Sequence, residues 1–187
     1  MKHKQIIWLG FVLMVLAQLF FPAQMVFQKE NVLKSGQDFE FRTAPIDPID
    51  PFRGKYVTLG FEDDVFSMER DTSWKAEGVV YLEIEEDHKG FAKIKTVSRS
   101  RPTHTEAYFE TTIRYIDHYG DEQKLHFYFP FDRFYMEEFK APVAEERYRE
   151  SLSDPNLETT ALVSIKNGQA VLKDVLVNGK PLEEMLE

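Results

Sequence analysis

The sequence predicts a mainly β fold, an antiparallel β-sandwich or open barrel with one short helix, carried on an N-terminal transmembrane helix. Three observations predict it. Residues 6–27 carry no charge and only two polar side chains, Gln18 and Gln24. Beyond residue 37, short segments alternate apolar and polar residues with period two, the pattern of half-buried strands. The pairs Asn167-Gly168 and Asn178-Gly179 punctuate the C-terminal part, and Asn-Gly supplies the two left-handed residues of a tight hairpin turn.

The apolar run of 6–27 makes a helix about 33 Å long, enough to cross the hydrocarbon core of a bilayer. Lys2 and Lys4 precede it, and the first basic residue after it, Lys29, has Glu30 beside it. The positive-inside bias then assigns 1–5 to the cytoplasm and the following domain to the outside of the cell membrane, as a single-pass protein. A cleaved signal peptide is the rival. Val15-Leu16-Ala17 resembles a cleavage site, but cutting there leaves nine apolar-rich residues at a secreted terminus. Gln18 and Pro22 mark a candidate helix–helix contact within the membrane, because polar groups in lipid seek partners. Helical composition continues through 28–36 and stops at Ser35-Gly36, with Gly36 at the C′ position where a left-handed residue ends a helix.

The domain, 37–187, then reads element by element. Phe39, Phe41 and Thr43 alternate with Glu40 and Arg42 as a strand. Pro45, Pro48 and Pro51 recur every third residue and make an extended loop; ligands of polyproline-binding domains look alike. Residues 54–62 read as one strand with Val57, Leu59 and Phe61 on its core face. Val80, Leu82 and Ile84 share a face, and after Asp87 the loop His88-Lys89-Gly90 closes a hairpin. Its register sets Glu85 opposite Lys93, Glu83 opposite Lys95, and Leu82 and Ile84 opposite Thr96 and Ile94. A second hairpin joins 111–118 to 122–129 through Tyr119-Gly120-Asp121, with Tyr115 and Ile113 facing Leu125 and Phe127. A third joins 161–166 to 169–173. Residues 142–153 form the domain's helix, with Pro142 in the first turn and Asp154-Pro155 after the end.

Composition excludes several functions. The formal charge of −9 opposes a nucleic-acid surface, which needs a basic face. The carboxylates are spread along the chain and read as a solvated acidic surface. With no cysteine there is no disulfide, thiolate metal site or thiol nucleophile. The five histidines give no metal site. His3 is cytoplasmic, and His88 and His104 lie in loops. His118 and His126 share a face but stand roughly 13 Å apart along the ladder. Ser67-Met68 does not complete a Ser–Lys hydrolase motif, since Glu69 follows. No glycine-rich phosphate loop is present. In the aromatic run 126–135, Phe127, Phe129 and Phe131 fill the core, which leaves Tyr128 and Tyr135 as candidate recognition residues.

The run Asp47-Pro48-Ile49-Asp50-Pro51-Phe52-Arg53-Gly54-Lys55-Tyr56-Val57-Thr58-Leu59-Gly60-Phe61 resembles the signature of the GDYXXLXY family, bacterial membrane-anchored proteins. Gly54, Tyr56 and Leu59 match it; Lys55 replaces the family's Asp and Phe61 its last Tyr. The anchor, the Phe131-Asp132-Arg133-Phe134-Tyr135 stretch and the Lys166-Asn167-Gly168 hairpin extend the resemblance over the whole chain. It implies no assigned activity, and association with a multi-span membrane protein. The Lys55 departure argues that the motif is structural: Gly54 opens the strand, Tyr56 covers one face and Leu59 plugs the core.

The expectation is therefore an accessory or binding protein, not an enzyme, anchored in the bilayer beside a polytopic partner. It has no catalytic residue, cofactor or metal. The alternative is an anchored envelope hydrolase of Ser/Lys type.

Overall fold

One helix, α1 (Lys2–Ser35), holds the entire apolar run and continues past it without a break, about 51 Å from end to end. The computed structural model describes residues 2–45 and 56–186. After α1 come β1 (Gln37–Ala44), β2 (Tyr56–Thr58), β3 (Gly60–Phe61), β4 (Val65–Glu69), β5 (Val79–Glu86) and β6 (Ala92–Ser98). They are followed by β7 (Tyr108–Tyr119), β8 (Glu122–Phe127), β9 (Arg133–Tyr135) and the helix α2 (Ala141–Ser153). The chain ends with β10 (Thr159–Lys166), β11 (Gln169–Val177), β12 (Lys180–Pro181) and a short 3₁₀ helix (Leu182–Leu186).

The strands form two five-stranded antiparallel sheets, ordered β12-β11-β10-β1-β3 and β4-β8-β7-β5-β6, and a ribbon of β2 with β9. Two isolated bridges stitch the sheets together, Glu40 beside Phe91 and Phe109 beside Gly168, so the sandwich is nearly closed at its edges. The core between them centres on five phenylalanines. Phe41 meets Phe61, Phe129 and Phe131 with ring centroids 5.1–6.1 Å apart, and Phe109 meets Phe129 and Phe131 at 5.6 and 5.4 Å. The tilted and edge-on geometries are those aromatic quadrupoles favour. Phe127, Phe129 and Phe131 are all buried, as their alternation requires.

The Asn167-Gly168 and Asn178-Gly179 turns form where expected, each with positive φ at both residues. α2 begins one residue before the expected start, with Pro142 in its first turn. Two hairpin registers differ from the sequence expectation, for one reason. Glu83 pairs with Thr96, not Lys95, and Leu82 with Val97, because Lys95 bulges out of β6; Glu85–Lys93 and Ile84–Ile94 stand. Tyr115 pairs with His126, and Leu125 with Ile116, because Arg114 bulges out of β7. This also moves His118 and His126 to opposite faces, and it shortens the turn to Gly120-Asp121. A third bulge, at Lys173, interrupts β11. All three extra residues are basic, and each carries its charge to a carboxylate: Arg114 to Asp64 at 3.1 Å, Lys95 to Glu85 at 3.9 Å, Lys173 to Asp38 at 2.7 Å. A bulge releases its side chain from the strict in–out alternation, and here solvent and an acid receive it.

The expected strand over 54–62 is two short strands. Leu59 separates β2, which pairs with β9, from β3, which pairs with β1. The strands β4, β9 and β12 and the 3₁₀ helix extend the sequence reading. Gly36 does follow the helix, but its φ is not in the left-handed region. Space is what demands glycine there. A Cβ would lie 2.6 Å from the Val32 carbonyl oxygen and 2.7 Å from Ser164 Oγ.

Candidate functional site

The signature segment sits where the ribbon, the sandwich end and α2 meet. Gly54, Lys55 and the proline-spaced loop after Pro45 lie outside the described residues. Val57 and Leu59 are buried, and the Leu59 N–H donates to the Asp132 carbonyl at 2.9 Å. Phe61 belongs to the phenylalanine cluster. Tyr56 packs its ring on Tyr135 at 5.4 Å, with the Arg133 guanidinium 5.2 Å from its centroid. Tyr56 of the signature and Arg133 of the Phe131–Tyr135 stretch thus lie on the two strands of one ribbon. Behind it lies Tyr148 of α2, whose hydroxyl burial pushes up to about 12.

A cleft of about 380 Å³ opens beside this segment, lined by Thr58, Leu59, Phe61, Asp64, Arg114 and Tyr128 among others. The β7 bulge points Arg114 to its rim. The guanidinium bonds Asp64 and lies 5.1 Å from the Tyr115 ring and 5.9 Å from the Tyr128 ring. Tyr115 in turn stacks on His126, 4.1 Å between centroids and 18° between planes, and His126 Nε2 lies 3.2 Å from Asp117 Oδ2. Burial raises Asp64 above the usual carboxylate range even though Arg114 draws it down. Tyr115 and Tyr128 remain exposed. The result is an ion-paired guanidinium flanked by two exposed aromatic rings. Tyr128 was legible as a surface residue; Arg114 was not. Its signal is the phase change between Ile113 and Ile116, three residues apart in a strand where core residues should be two or four apart.

A second charge centre is structural. Arg42 of β1 bonds the Asp87 carboxylate across the seam between the sheets. It also lies 3.7 Å from Asp63, 3.9 Å from Glu62 and 4.7 Å from the Phe91 ring centroid. The Phe91 backbone N–H, the Arg42 guanidinium and the Lys89 backbone N–H hold Asp87 well below the usual carboxylate range, against the opposing effect of burial. Buried Glu83 pairs with His104 at 3.1 Å. The acidic residues are therefore not uniformly solvated; several close the fold.

The register sets Ser67 opposite Lys124, yet both are exposed and the Lys124 ammonium lies 5.5 Å from the Tyr119 ring centroid. The pair therefore lies on the open face of the sheet and lines no enclosed site. Among the described residues no group of three or more His, Asp or Glu is placed to hold a metal ion. Gln18 is exposed on α1, and Pro22, four residues on, has no N–H to give its carbonyl. Tyr135 is exposed on the ribbon.

These features define an antiparallel β-sandwich domain joined to an apolar helix of membrane-spanning length, with an aromatic and cationic surface and a signature ribbon at one end. The chain belongs to the GDYXXLXY family: the family model, GDYXXLXY protein, matches residues 18–175. No curated protein and no solved structure matches the chain.

Proposed function

We infer that the protein is a single-pass, membrane-anchored accessory subunit. Its N-terminus is cytoplasmic, and it presents the β domain outside the cell membrane to a polytopic partner. The observation that carries this reading is the joint between anchor and domain. Val32 of α1 is buried against β10 and β11, Ser164 Oγ donates to the Val32 carbonyl at 2.9 Å, and Lys166 Nζ donates to Ser35 Oγ at 2.8 Å. A helix docked in this way holds the domain at fixed height and orientation, which serves contact with a fixed neighbour better than capture of a free substrate.

Two further features support a partner. Pro22 deprives the Gln18 carbonyl of its helical donor, so position 18 offers lipid both a side-chain amide and an open carbonyl. Groups of that kind favour a neighbouring helix. Arg114, Tyr115 and Tyr128 give the domain its own recognition surface, with Tyr135 on the ribbon a second candidate.

Photo-crosslinkers at Gln18 and Tyr128 in intact membranes test the reading. Both positions should capture the same multi-span protein. Glycines inserted after Phe27 should abolish capture from 128 and leave capture from 18. No adduct from either position, or capture from 128 indifferent to the insertion, rejects it.

A further inference from the structure

The joint between helix and domain also fixes which face of the sandwich looks at the lipid. Gln169 Nε2 donates to Gln28 Oε1 at 3.4 Å. Gln28 is the first residue after the apolar run, and Gln169 is the first after the Asn167-Gly168 turn. Ser164, further from that turn, meets Val32 further along the helix. The β10–β11 hairpin therefore points its turn back toward the membrane. The headgroup layer extends about 5–7 Å beyond the hydrocarbon on each side, within reach of this turn.

The turn does not stand alone. Asn167 N donates to the Glu106 carbonyl at 2.9 Å, Gly168 N to the Tyr108 carbonyl at 2.9 Å, and Glu110 N to the Gly168 carbonyl at 3.0 Å. Arg101 completes the lock. Its Nη2 donates to the Asn167 carbonyl at 2.9 Å and its Nε to the buried Tyr108 hydroxyl at 2.5 Å. Those bonds use two of the guanidinium's five N–H donors, and Arg101 is exposed. Lys166 lies at the same end with its ammonium on the Ser35 hydroxyl, and exposed Lys29 adjoins Gln28. Glu106, 3.3 Å from Asn167 Nδ2, and Glu110, whose carboxylate acts on Arg101, are acids that face them.

The geometry points to a lipid-binding site here. The β10–β11 turn rests on the headgroup layer, and Arg101, held rigid by Tyr108 and Asn167, binds the phosphate of anionic phospholipids. This rests on the anchoring reading above. A guanidinium with two donors fixed to protein and the rest directed to solvent suits a phosphate oxygen pair. Anionic lipid would then set the tilt of the domain on its helix, and with it the direction in which Arg114 and Tyr128 face.

The chain has no cysteine, so single spin labels can be introduced cleanly. The full-length protein would carry a label at Leu13→Cys, Lys89→Cys or Asn167→Cys. It would be placed in nanodiscs of phosphatidylcholine alone or with phosphatidylglycerol added. Relaxation by oxygen against a water-soluble nickel chelate reports depth. The label at 13 should lie in hydrocarbon and the label at 89 in water. The label at 167 should be shielded from nickel, and more strongly when phosphatidylglycerol is present. Arg101→Gln should remove that lipid dependence, and Arg101→Lys, which keeps the charge, should retain most of it. A label at 167 as open to nickel as the label at 89, with position 13 in hydrocarbon, overturns the proposal and leaves the anchor standing. Water around position 13 overturns both. Equal depth in the two lipids, or a lipid response unchanged by Arg101→Gln, overturns the role of Arg101.

Discussion

Ser164 and Val32 meet across the junction of the apolar helix and the sandwich: the buried Ser164 hydroxyl donates to the Val32 carbonyl, which also accepts the Gly36 N–H at 2.8 Å. The carbonyl is one of the last four of the helix, which have no helical donor unless the chain beyond supplies one. Here it is satisfied twice, once by the residue that ends the helix and once by a strand 132 residues away. Helix termination and helix docking are thus one structural event, and Gly36 is the residue that permits it.

Gly36→Ala should break the joint. The added methyl would lie 2.6 Å from the Val32 oxygen and 2.7 Å from Ser164 Oγ, and the first of these is backbone that cannot swing aside. Overpacking of this kind costs roughly 1–3 kcal/mol. Ser164→Ala should cost less, about 0.5–1.5 kcal/mol, because Gly36 still satisfies the carbonyl. Chemical denaturation in detergent, with amide exchange at Gly36, measures both. The reverse ranking would mean that the hydrogen bond, not the close approach, holds the helix.

Leu59→Ala should cost about 2–5 kcal/mol, since the side chain is buried beneath the phenylalanine cluster between β2 and β3. Tyr128→Ala should change stability by no more than about 0.5 kcal/mol, because the ring is 54 % exposed and the Tyr128 carbonyl, not the ring, accepts the Thr111 hydroxyl. Thermal melting of both variants checks this. A silent Leu59→Ala would place the signature strand outside the core.

Asp87 predicts an acid-sensitive seam. Its carboxylate is held below its unfolded value, chiefly by the Phe91 N–H. A depressed acid contributes stability that is present above the unfolded pKa of about 3.9 and is lost as pH falls toward the folded one. Stability should therefore drop below about pH 4, and Asp87→Asn should flatten that drop while lowering stability at neutral pH. Asp64 and Asp174, raised by burial, act in the opposite sense, so the comparison with the variant is what isolates Asp87. Parallel acid limbs in the two proteins would reject the assignment.

The elements legible in the sequence are those whose information is local. Asn167-Gly168 needs only its own two positive φ angles, and Phe127, Phe129 and Phe131 need only alternation. The apolar run needs only length. What was not legible depends on distant strands. Arg114 and Lys95 bulge because the residues opposite them are fixed by a different pairing, so both hairpin registers run correctly near one end and slip at the bulge. The strand over 54–62 breaks at Leu59 because β9 claims one half and β1 the other. The aromatic surface around Arg114 was half visible for the same reason. Tyr128 follows from alternation along the aromatic run of 126–135, while Arg114 and the Tyr115–His126 stack exist only because of the bulge.

Gln123 gives a last test of how the interior of the second sheet is filled. It lies on β8 in the inward row with Leu125 and Phe127, fully buried, and among the described residues neither amide atom has a hydrogen-bond partner. A buried polar group left in that state costs about 1–3 kcal/mol. Gln123→Met keeps the length of the side chain and removes both polar atoms, so it should stabilise the domain by about 1 kcal/mol, a rise of roughly 2–4 °C for a domain of this size. Gln123→Glu should do the reverse, with a loss that grows as pH rises through the carboxylate's titration, because a charge there has no more of a partner than the amide has. Paired melting curves of the two variants decide it. A loss of a kilocalorie or more in Gln123→Met would show that the amide is satisfied after all, and that β8 is held in register by a polar contact and not by packing alone.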